Sequence, residues 1–289
     1  MHSHDFGVNI KWIILHVGFL LTFYLECRVK IWHNPNYYLW EGFIIKRVVI
    51  KLSGEAIGDS QAASGYNDLT IDSIVGQIAG VVKAGVQVSL VVGGGNLWRG
   101  HQARPDMDRV KADSMGMLAT VMNAVYLAEA FKRQGAKAMV LTPMPFANIT
   151  RVYEKDMAME LMAGQAILIN AAGTGHPYFS TDTITALRAA ELEADCVLYA
   201  KNVDGVYDSD PRKNPEARKY RHLSYRTAIQ NGLNAADIAA MHISNEAGIP
   251  SYIFGLNAPD SISLACAYPH TGQLNGTYMN VDIKEDYYV

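Results

Sequence analysis

Two glycine-containing segments of the sequence have the composition of phosphate-binding turns. The segment 51–55 (KLSGE) ends one β-branched run, and the segment 93–100 (GGGNLWRG) directly follows another. Glycine lets a backbone approach an anion closely, and the N–H groups of such a turn can point at the anion. Lys51 could then contact a phosphate, and Arg99 could bind one through two parallel hydrogen bonds. The alternatives are an ordinary strand-to-turn junction at 51–55 and a tight turn without a ligand at 93–100.

A third loop, at 171–182 (AAGTGHPYFSTD), combines glycines with hydroxyl groups. Thr174, Ser180 and Thr181 could form hydrogen bonds with a phosphate or a base edge, although Ser180 or Thr181 could equally cap the next helix. His176 could act as a general base, but a loop histidine more often serves only as a hydrogen-bonding residue. The composition of this third loop therefore predicts ligand binding rather than a catalytic base.

A fourth loop, at 201–211 (KNVDGVYDSDP), contains Asp-Gly and Asp-Pro pairs, which mark turns. Tyr207 could stack on a purine ring, and Asp210 could accept a hydrogen bond from a ribose hydroxyl. A plain turn-rich loop without a ligand is the alternative. Taken together, the four loops predict a site for phosphorylated ligands.

Several common catalytic and nucleotide-binding motifs are absent from the sequence. It contains no G-x-x-x-x-G-K-[ST], so the usual P-loop nucleotide site is missing. No complete G-x-G-x-x-G opens a helix after the first strand, which argues against a Rossmann dehydrogenase. Neither H-E-x-x-H nor G-x-S-x-G occurs.

The elements that must position these loops alternate between short β-branched runs and helical patterns. Strands are predicted at 47–52, 86–92, 138–141, 166–170, 196–200 and 251–254, with a terminal strand pair around 274–281, and helices at 71–82, 113–134, 156–163, 182–191 and 234–247. This alternation predicts an α/β fold, a three-layer α/β/α sandwich with a mostly parallel central sheet. Ligands of such sheets bind beyond the carboxyl ends of the strands, which is where the four loops lie.

Composition and charge are ordinary for a globular enzyme. The 289 residues carry a formal net charge of −3, which gives no electrostatic reason to expect a nucleic acid partner. The cysteines, Cys27, Cys196 and Cys266, form no C-x-x-C pair and indicate neither a disulfide framework nor a zinc ribbon. A reducing compartment, and hence a cytoplasmic location, is expected.

Residues 1–44 do not match the rest of the chain. Their apolar run, 12–25, is shorter than the roughly 20 residues of a spanning helix, and no small-residue cleavage site follows it. The favoured interpretation is translated upstream sequence from a start codon chosen too early. A membrane anchor or targeting segment is the alternative. The catalytic domain is then expected to span 45–289.

Five segments resemble the amino-acid kinase superfamily and, within it, the bacterial UMP kinases. They are 51–55, 93–100, 113–120 (DSMGMLAT), 173–182 and 203–207 (VDGVY), and the resemblance extends from about Arg47 to Val281. The segment 113–120 separates UMP kinases from their relatives. The resemblance implies reversible transfer of the γ-phosphoryl group of ATP to UMP, giving UDP and ADP, with Mg²⁺ accompanying ATP.

The resemblance also implies roles for individual residues. On the ATP side these are Lys51, Leu52, Ser53, Gly54, Gly95, Arg99, Asn202, Tyr207 and Asp210. On the UMP side they are Gly94, Asp113, Thr174, Gly175, His176, Pro177, Tyr178, Phe179, Ser180 and Thr181. Lys51 would act on the transferred group as a catalytic residue, and Asp237 would orient this lysine. No residue is implied as a metal ligand.

Further implications concern assembly and regulation. The resemblance implies a cytoplasmic homohexamer of pyrimidine nucleotide biosynthesis, activated by GTP and inhibited by UTP, with neither a nucleic acid nor a membrane as partner. One alternative is another kinase of the superfamily, which phosphorylates a carboxylate or carbamate. A second is a non-catalytic nucleotide-binding or membrane-associated module.

Overall fold

The computed structural model describes residues 45–99, 104–267 and 275–288, which belong to a unit spanning Ile45–Val289. The predictions made for residues 1–44 lie outside the described residues. Within the described part of the chain, no helix is both long enough and apolar enough to cross a membrane.

One sheet organises the described residues. Its strands are β1 (Arg47–Leu52), β2 (Gln87–Val92), β3 (Ala138–Thr142), β4 (Arg151–Val152), β5 (Ile167–Asn170), β6 (Cys196–Lys201), β7 (Tyr220–Ser224), β8 (Ser251–Gly255), β9 (Gly276–Asn280) and β10 (Asp286–Tyr287). The helices are α1 (Gly54–Ile57), α2 (Asp68–Lys83), α3 (Arg109–Arg133), α4 (Lys155–Ala163), α5 (Thr181–Glu191), α6 (Tyr225–Gln230), α7 (Ile238–Glu246) and α8 (Ser261–Ala267).

The strand order is β10-β7-β9-β8-β6-β1-β2-β5-β3-β4. Every neighbouring pair from β8 to β4 is parallel. Among the strands named above, antiparallel pairs form between β8 and β9 and between β7 and β10. β1 is therefore a central strand, flanked by β6 and β2.

Helices cover both faces of this sheet. Val48, Ile50 and Leu52 of β1 are fully buried in a core shared with α2, α3 and α8. Val49, which points to the opposite face, belongs to a second core shared with α4, α5, α6 and α7. Strands buried on both faces read as continuous apolar runs, because no side of the strand meets water. The predicted α/β/α sandwich with a mostly parallel sheet is confirmed.

Some elements differ from the sequence-based expectation. The short strands β4 and β7 and the short helices α1, α6 and α8 were not predicted. α3 begins at Arg109, four residues before the predicted start, because the Asp108 carboxylate caps it by accepting a hydrogen bond from the Lys111 N–H at 3.1 Å. The predicted terminal strand pair is wrong: β9 pairs with β8 and β7, and β10 pairs with β7.

Candidate active site

Four loops meet at one edge of the sheet. They follow β6, β1, β2 and β5, which are consecutive neighbours in the strand order and run parallel. Because parallel strands end at the same edge, the structure brings together the loops that the sequence analysis singled out. Gly100, the last residue of the segment after β2, lies outside the described residues.

The turns after β1 and β2 pack backbone against backbone. A Cβ atom added to Gly54 would lie 2.6 Å from the Gly95 nitrogen and 2.7 Å from the Gly93 oxygen, which only glycine avoids. On its other side the second turn rests on α3, because a Cβ on Gly94 would lie 2.9 Å from both the Gly116 oxygen and the Ala119 Cβ. These glycines are needed for close approach.

Two lysines share one carboxylate at the strand ends. The Lys51 Nζ lies 3.1 Å from Asp182 Oδ1, and the Lys201 Nζ lies 3.6 Å from Asp182 Oδ2. The three side chains are only 12%, 17% and 14% exposed for Lys51, Lys201 and Asp182 respectively. Lys201 also donates a hydrogen bond to the Ala235 oxygen at 2.5 Å. With two ammonium groups and one carboxylate, this charged cluster carries one net positive charge when all three groups are ionised.

Burial and the neighbouring charges shift the pKa values in this cluster. Burial by itself would raise the pKa of Asp182, but the nearby Lys51 and Lys201 outweigh it and hold that pKa below its ordinary value. Burial lowers the pKa of Lys201, as does the charge of Lys51, while Asp182 opposes both effects. Asp237 also raises the pKa of Lys201 through its charge, so a second carboxylate acts on this lysine besides Asp182.

Asp237 lies at the start of α7. Its carboxylate caps α7 by accepting a hydrogen bond from the Ala240 N–H at 2.7 Å, and it accepts further bonds from the Ser180 hydroxyl and, at 2.7 Å, from the Thr183 hydroxyl. The carboxylate paired with Lys51 is that of Asp182. Asp182 is thus the carboxylate in contact with Lys51, whereas Asp237 bonds to residues at the start of α5 and α7. The predicted role of Asp237 in orienting Lys51 stays a prediction.

The remaining residues predicted to bind ATP lie at the end of β1 and in the loops after β1, β2 and β6. Arg99 forms an ion pair with Glu55 at 2.7 Å, and its Nε donates to the Gly95 oxygen at 3.0 Å. Asn202 donates to the other Glu55 oxygen at 3.4 Å, so Glu55 connects the loops after β2 and β6. Leu52 is buried at the end of β1, and Ser53 precedes α1.

A cavity of about 390 Å³ opens beside the loop after β6. Tyr207 and Asp210 both line it, together with Gly232 and Asn234 from the segment that precedes α7. The Tyr207 hydroxyl donates to Asp204 at 2.8 Å, which fixes the ring in place. An aromatic face and a carboxylate in one cavity of this size could hold a nucleoside.

Residues predicted to bind UMP lie around the start of α3. The Asp113 carboxylate accepts a hydrogen bond from the Tyr178 N–H at 2.9 Å and pairs with Arg109 at 2.8 Å. It thereby connects α3 with the loop 173–180. In that loop the His176 N–H donates to the Thr174 hydroxyl at 3.2 Å. Gly175 has a φ of 81°.

The other residues predicted on the UMP side lie in the same loop. The Ser180 hydroxyl caps α5 by accepting from the Asp182 N–H at 2.9 Å, so the capping alternative holds for this residue. Thr181 is the first residue of α5. Tyr178 and Phe179 are mostly exposed, and Pro177 precedes them.

Sequence reasoning missed Asp182, Lys201 and Glu55 as site residues. From the sequence, Asp182 was interpreted as an acidic residue in the first turn of a helix, which is a common structural feature. Lys201 follows an apolar run just as Lys51 does, and that parallel was the available signal. Their pairing depends on β6 lying next to β1, which periodicity alone does not reveal.

Comparisons with known proteins agree with this geometry. The model of the amino acid kinase family matches residues 46–255, and the chain belongs to this family. The relatives it resembles include uridylate kinase from Streptococcus thermophilus, with 45% identity over 219 residues, which cover 75% of this chain and 89% of the relative. The predicted resemblance is confirmed.

Solved structures of UMP kinases are similar as well. The enzyme from Bacillus anthracis matches with a TM-score of 0.79 and 33% identity, covering 86% of this chain and 100% of that one. The enzyme from Ureaplasma parvum matches with a TM-score of 0.76 and 33% identity, covering 82% of this chain and 100% of that one.

Proposed function

We propose that this chain is a UMP kinase, which transfers the γ-phosphoryl group of ATP to UMP and releases UDP and ADP reversibly. The observation that carries the proposal is the convergence of four strand-end loops around the cluster of Lys51, Asp182 and Lys201. The similarity to uridylate kinases supports the choice of acceptor.

The reaction needs alignment and charge neutralisation rather than a base. The second pKa of a phosphate monoester is about 6, so the attacking oxygen of UMP is already largely ionised at pH 7. What remains is to hold two mutually repelling anions in line. Lys51 and Lys201 supply positive charge where the γ-phosphoryl group passes. The glycine turns supply backbone N–H groups.

The two nucleotides take opposite sides of the charged cluster in this proposal. ATP places its base in the cavity lined by Tyr207 and Asp210 and its phosphates near Lys51, Gly95 and Arg99. UMP lies against Gly94, Asp113 and the loop 173–180, where a ribose hydroxyl bonds to Asp113 in place of one present partner.

Magnesium accompanies ATP in this proposal. Among the described residues, no group of three or more His, Cys, Asp or Glu side chains could hold a metal ion. Mg²⁺ usually keeps several waters and binds mainly through substrate phosphates, so it does not require a cluster of protein ligands. When bound with ATP, the ion would offset the negative charge of the phosphates.

Replacing Lys201 with methionine is expected to lower kcat about tenfold, because the charged cluster then has no net positive charge. The pKa of Lys201 is lowered, so the wild-type lysine loses its charge at a lower pH than an ordinary lysine. The wild-type kcat should therefore decline on the alkaline side, and Lys201→Met should lack this decline. Steady-state kinetics across pH measures both effects. Identical alkaline limbs in the two proteins would rule out the role.

Replacing Asp113 with alanine is expected to raise the KM for UMP about tenfold or more while kcat changes little, because a charged hydrogen bond to the ribose is lost. A UMP titration at saturating ATP measures this. Asp106→Ala is the control, since Asp106 is an exposed carboxylate that pairs with Arg104, two residues away. An unchanged KM for UMP in the Asp113 variant would contradict the assignment.

The decisive test of the function is an ADP-release assay with a panel of acceptors. UMP, CMP, acetylglutamate and aspartate are each supplied with ATP and Mg²⁺, on the full chain and on a shortened chain that starts at Ile45. UMP is expected to be the preferred acceptor for both. Preference for a carboxylate would instead make the chain an amino-acid kinase, and activity lost on shortening would assign residues 1–44 to the enzyme.

A cytoplasmic homohexamer regulated by GTP and UTP completes the proposal. It rests on the resemblance and on one surface feature. α3 exposes Met115, Leu118 and Met122, which lie near one face of the helix at a spacing of three and four residues. Exposed apolar patches of this kind support an interface between copies of the chain. Light scattering with and without each nucleotide tests assembly, and initial rates test regulation.

A further inference from the structure

One face of α3 carries polar contacts to both glycine loops. The backbone oxygen of Ala112 accepts a hydrogen bond from the Trp98 indole N–H at 2.8 Å, and Gly116 lies beneath Gly94. Two buried side chains farther along the helix, Thr120 and Asn123, complete the set. These positions follow one another at intervals of three or four residues, so they line the same side of the helix.

Asn123 is tied to the turn that follows β2. Its side chain is 0% exposed, and its Nδ2 donates to the Gly93 oxygen at 2.6 Å and to Asn96 Oδ1 at 2.7 Å. The Asn96 Nδ2 donates back to Asn123 Oδ1 at 3.2 Å. One buried amide thus holds both the first residue of the turn and a side chain beyond its glycines.

Thr120 is tied to the loop that follows β5. Its Oγ1 accepts a hydrogen bond from the Ala172 N–H at 2.7 Å and donates to the Met117 oxygen at 2.7 Å. Ala172 has a φ of 60°, a left-handed conformation that residues with a Cβ atom rarely adopt. The Thr120 hydroxyl therefore stabilises an uncommon backbone conformation at the start of the loop 173–180.

We propose that Asn123 and Thr120 are positioning residues that fix, from one face of α3, the spacing between the turn after β2 and the loop after β5. In the proposed function the turn after β2 contacts both nucleotides, through Gly94 on UMP and through Gly95 and Arg99 on ATP, and the loop after β5 contacts UMP. The spacing therefore sets the in-line alignment of the two phosphates. The inference rests on the proposed UMP kinase function. It adds residues that touch neither nucleotide but determine the geometry of those that do.

The test measures alignment separately from binding and stability. Asn123→Leu keeps the branched shape and the number of heavy atoms of the side chain, although its methyl groups are larger, and removes both N–H donors. Displacing a reacting group by about 1 Å can cost 10²-fold in rate. We therefore expect kcat for UDP formation to fall tenfold or more, with the KM values for ATP and UMP changed less than threefold. The ratio of ADP to UDP formed should rise at least twofold, because water then competes with the misaligned acceptor.

Thr120→Val, which removes only a hydroxyl, is the second variant and is expected to show the same signature in weaker form. Asn96→Ala should reproduce part of the Asn123→Leu effect and add nothing to it in the double variant, since both act through one amide pair. Tyr225→Phe is the matched control: it removes a buried hydroxyl that bonds to Ile249 and Ser251 at the start of β8, far along the strand from the loops. Its kinetics should remain those of the wild type.

The outcomes separate the inference from the function on which it rests. A wild-type chain that forms no UDP overturns both. If the wild type is active, the inference alone is overturned when Asn123→Leu and Thr120→Val fold but keep kcat within twofold of the wild type and leave the ADP-to-UDP ratio unchanged. The same holds if kcat falls equally in Tyr225→Phe, because the loss then follows stability. If Asn123→Leu does not fold, the result for Thr120→Val decides between these outcomes.

Discussion

Lys51→Ala is expected to lower kcat by a factor of about 10²–10³ while the chain stays folded. Removing one preorganised donor from a phosphoryl-transfer or oxyanion site typically has an effect of this size, about 3–4 kcal/mol in the barrier. The fold should survive because Asp182, once freed from Lys51, still has the ammonium group of Lys201 within 3.6 Å. Steady-state kinetics at saturating ATP and UMP, with circular dichroism as the measure of folding, checks both parts.

Lys83→Ala provides the matched control for this variant, since Lys83 is an exposed lysine in the last turn of α2. It removes the same charge from the chain without touching the strand-end loops. A Lys51 variant with a near-normal kcat would remove this lysine from the mechanism, whatever the behaviour of the control.

Asp182→Asn should decrease the free energy of unfolding of the nucleotide-free chain by about 3–5 kcal/mol. The change keeps the shape of the side chain but removes the carboxylate that pairs with two poorly exposed ammonium groups, and breaking a buried pair has a cost of this order. ATP should recover part of the loss, because its phosphates bring negative charge to the same place. Urea unfolding with and without ATP measures the two differences.

The pH dependence of this loss follows from the pKa of Asp182, which is lower in the folded chain than its ordinary value of about 3.9. The stabilising contribution of the carboxylate is therefore complete above the ordinary pKa and disappears as the pH falls through the folded pKa. The difference between wild type and Asp182→Asn should shrink in acid. Asp72→Asn, which breaks an exposed pair with Arg133, should cost less than about 1 kcal/mol. Equal losses in the two variants would refute the buried-charge argument.

Much of the fold was predictable because the central strands are apolar on both faces. β1, β2, β5 and β6 stand out as apolar runs, and the glycines after β1, β2 and β5 mark where chain reversal or close approach is needed. β7 and β10 were not predictable in the same way. They are short and partly polar, as in YRHLS at Tyr220–Ser224, and they form strands because distant partners supply their hydrogen bonds.

The same reasoning explains what was and was not visible in the site. Lys51 and Arg99 could be found from the sequence because each lies within a few residues of a glycine and near the end of a predicted strand. The charged cluster could not, because Asp182 belongs to a helix start and Lys201 to another strand. The role of Asp237 was predicted from the resemblance alone. In the structure its carboxylate bonds to Ser180, Thr183 and the Ala240 N–H, and its role toward Lys51 stays a prediction.

The central place of β1 has a consequence for how the chain reaches its active form during translation. β1 emerges from the ribosome before either neighbour, and its second flanking strand, β6, pairs Val48 with Cys196 from far along the sequence. Contacts between such distant segments form slowly. The nascent chain therefore has no complete charge cluster until synthesis has passed Lys201. Until then, one edge of β1 lacks its partner strand, and unpaired strand edges make folding intermediates prone to aggregation.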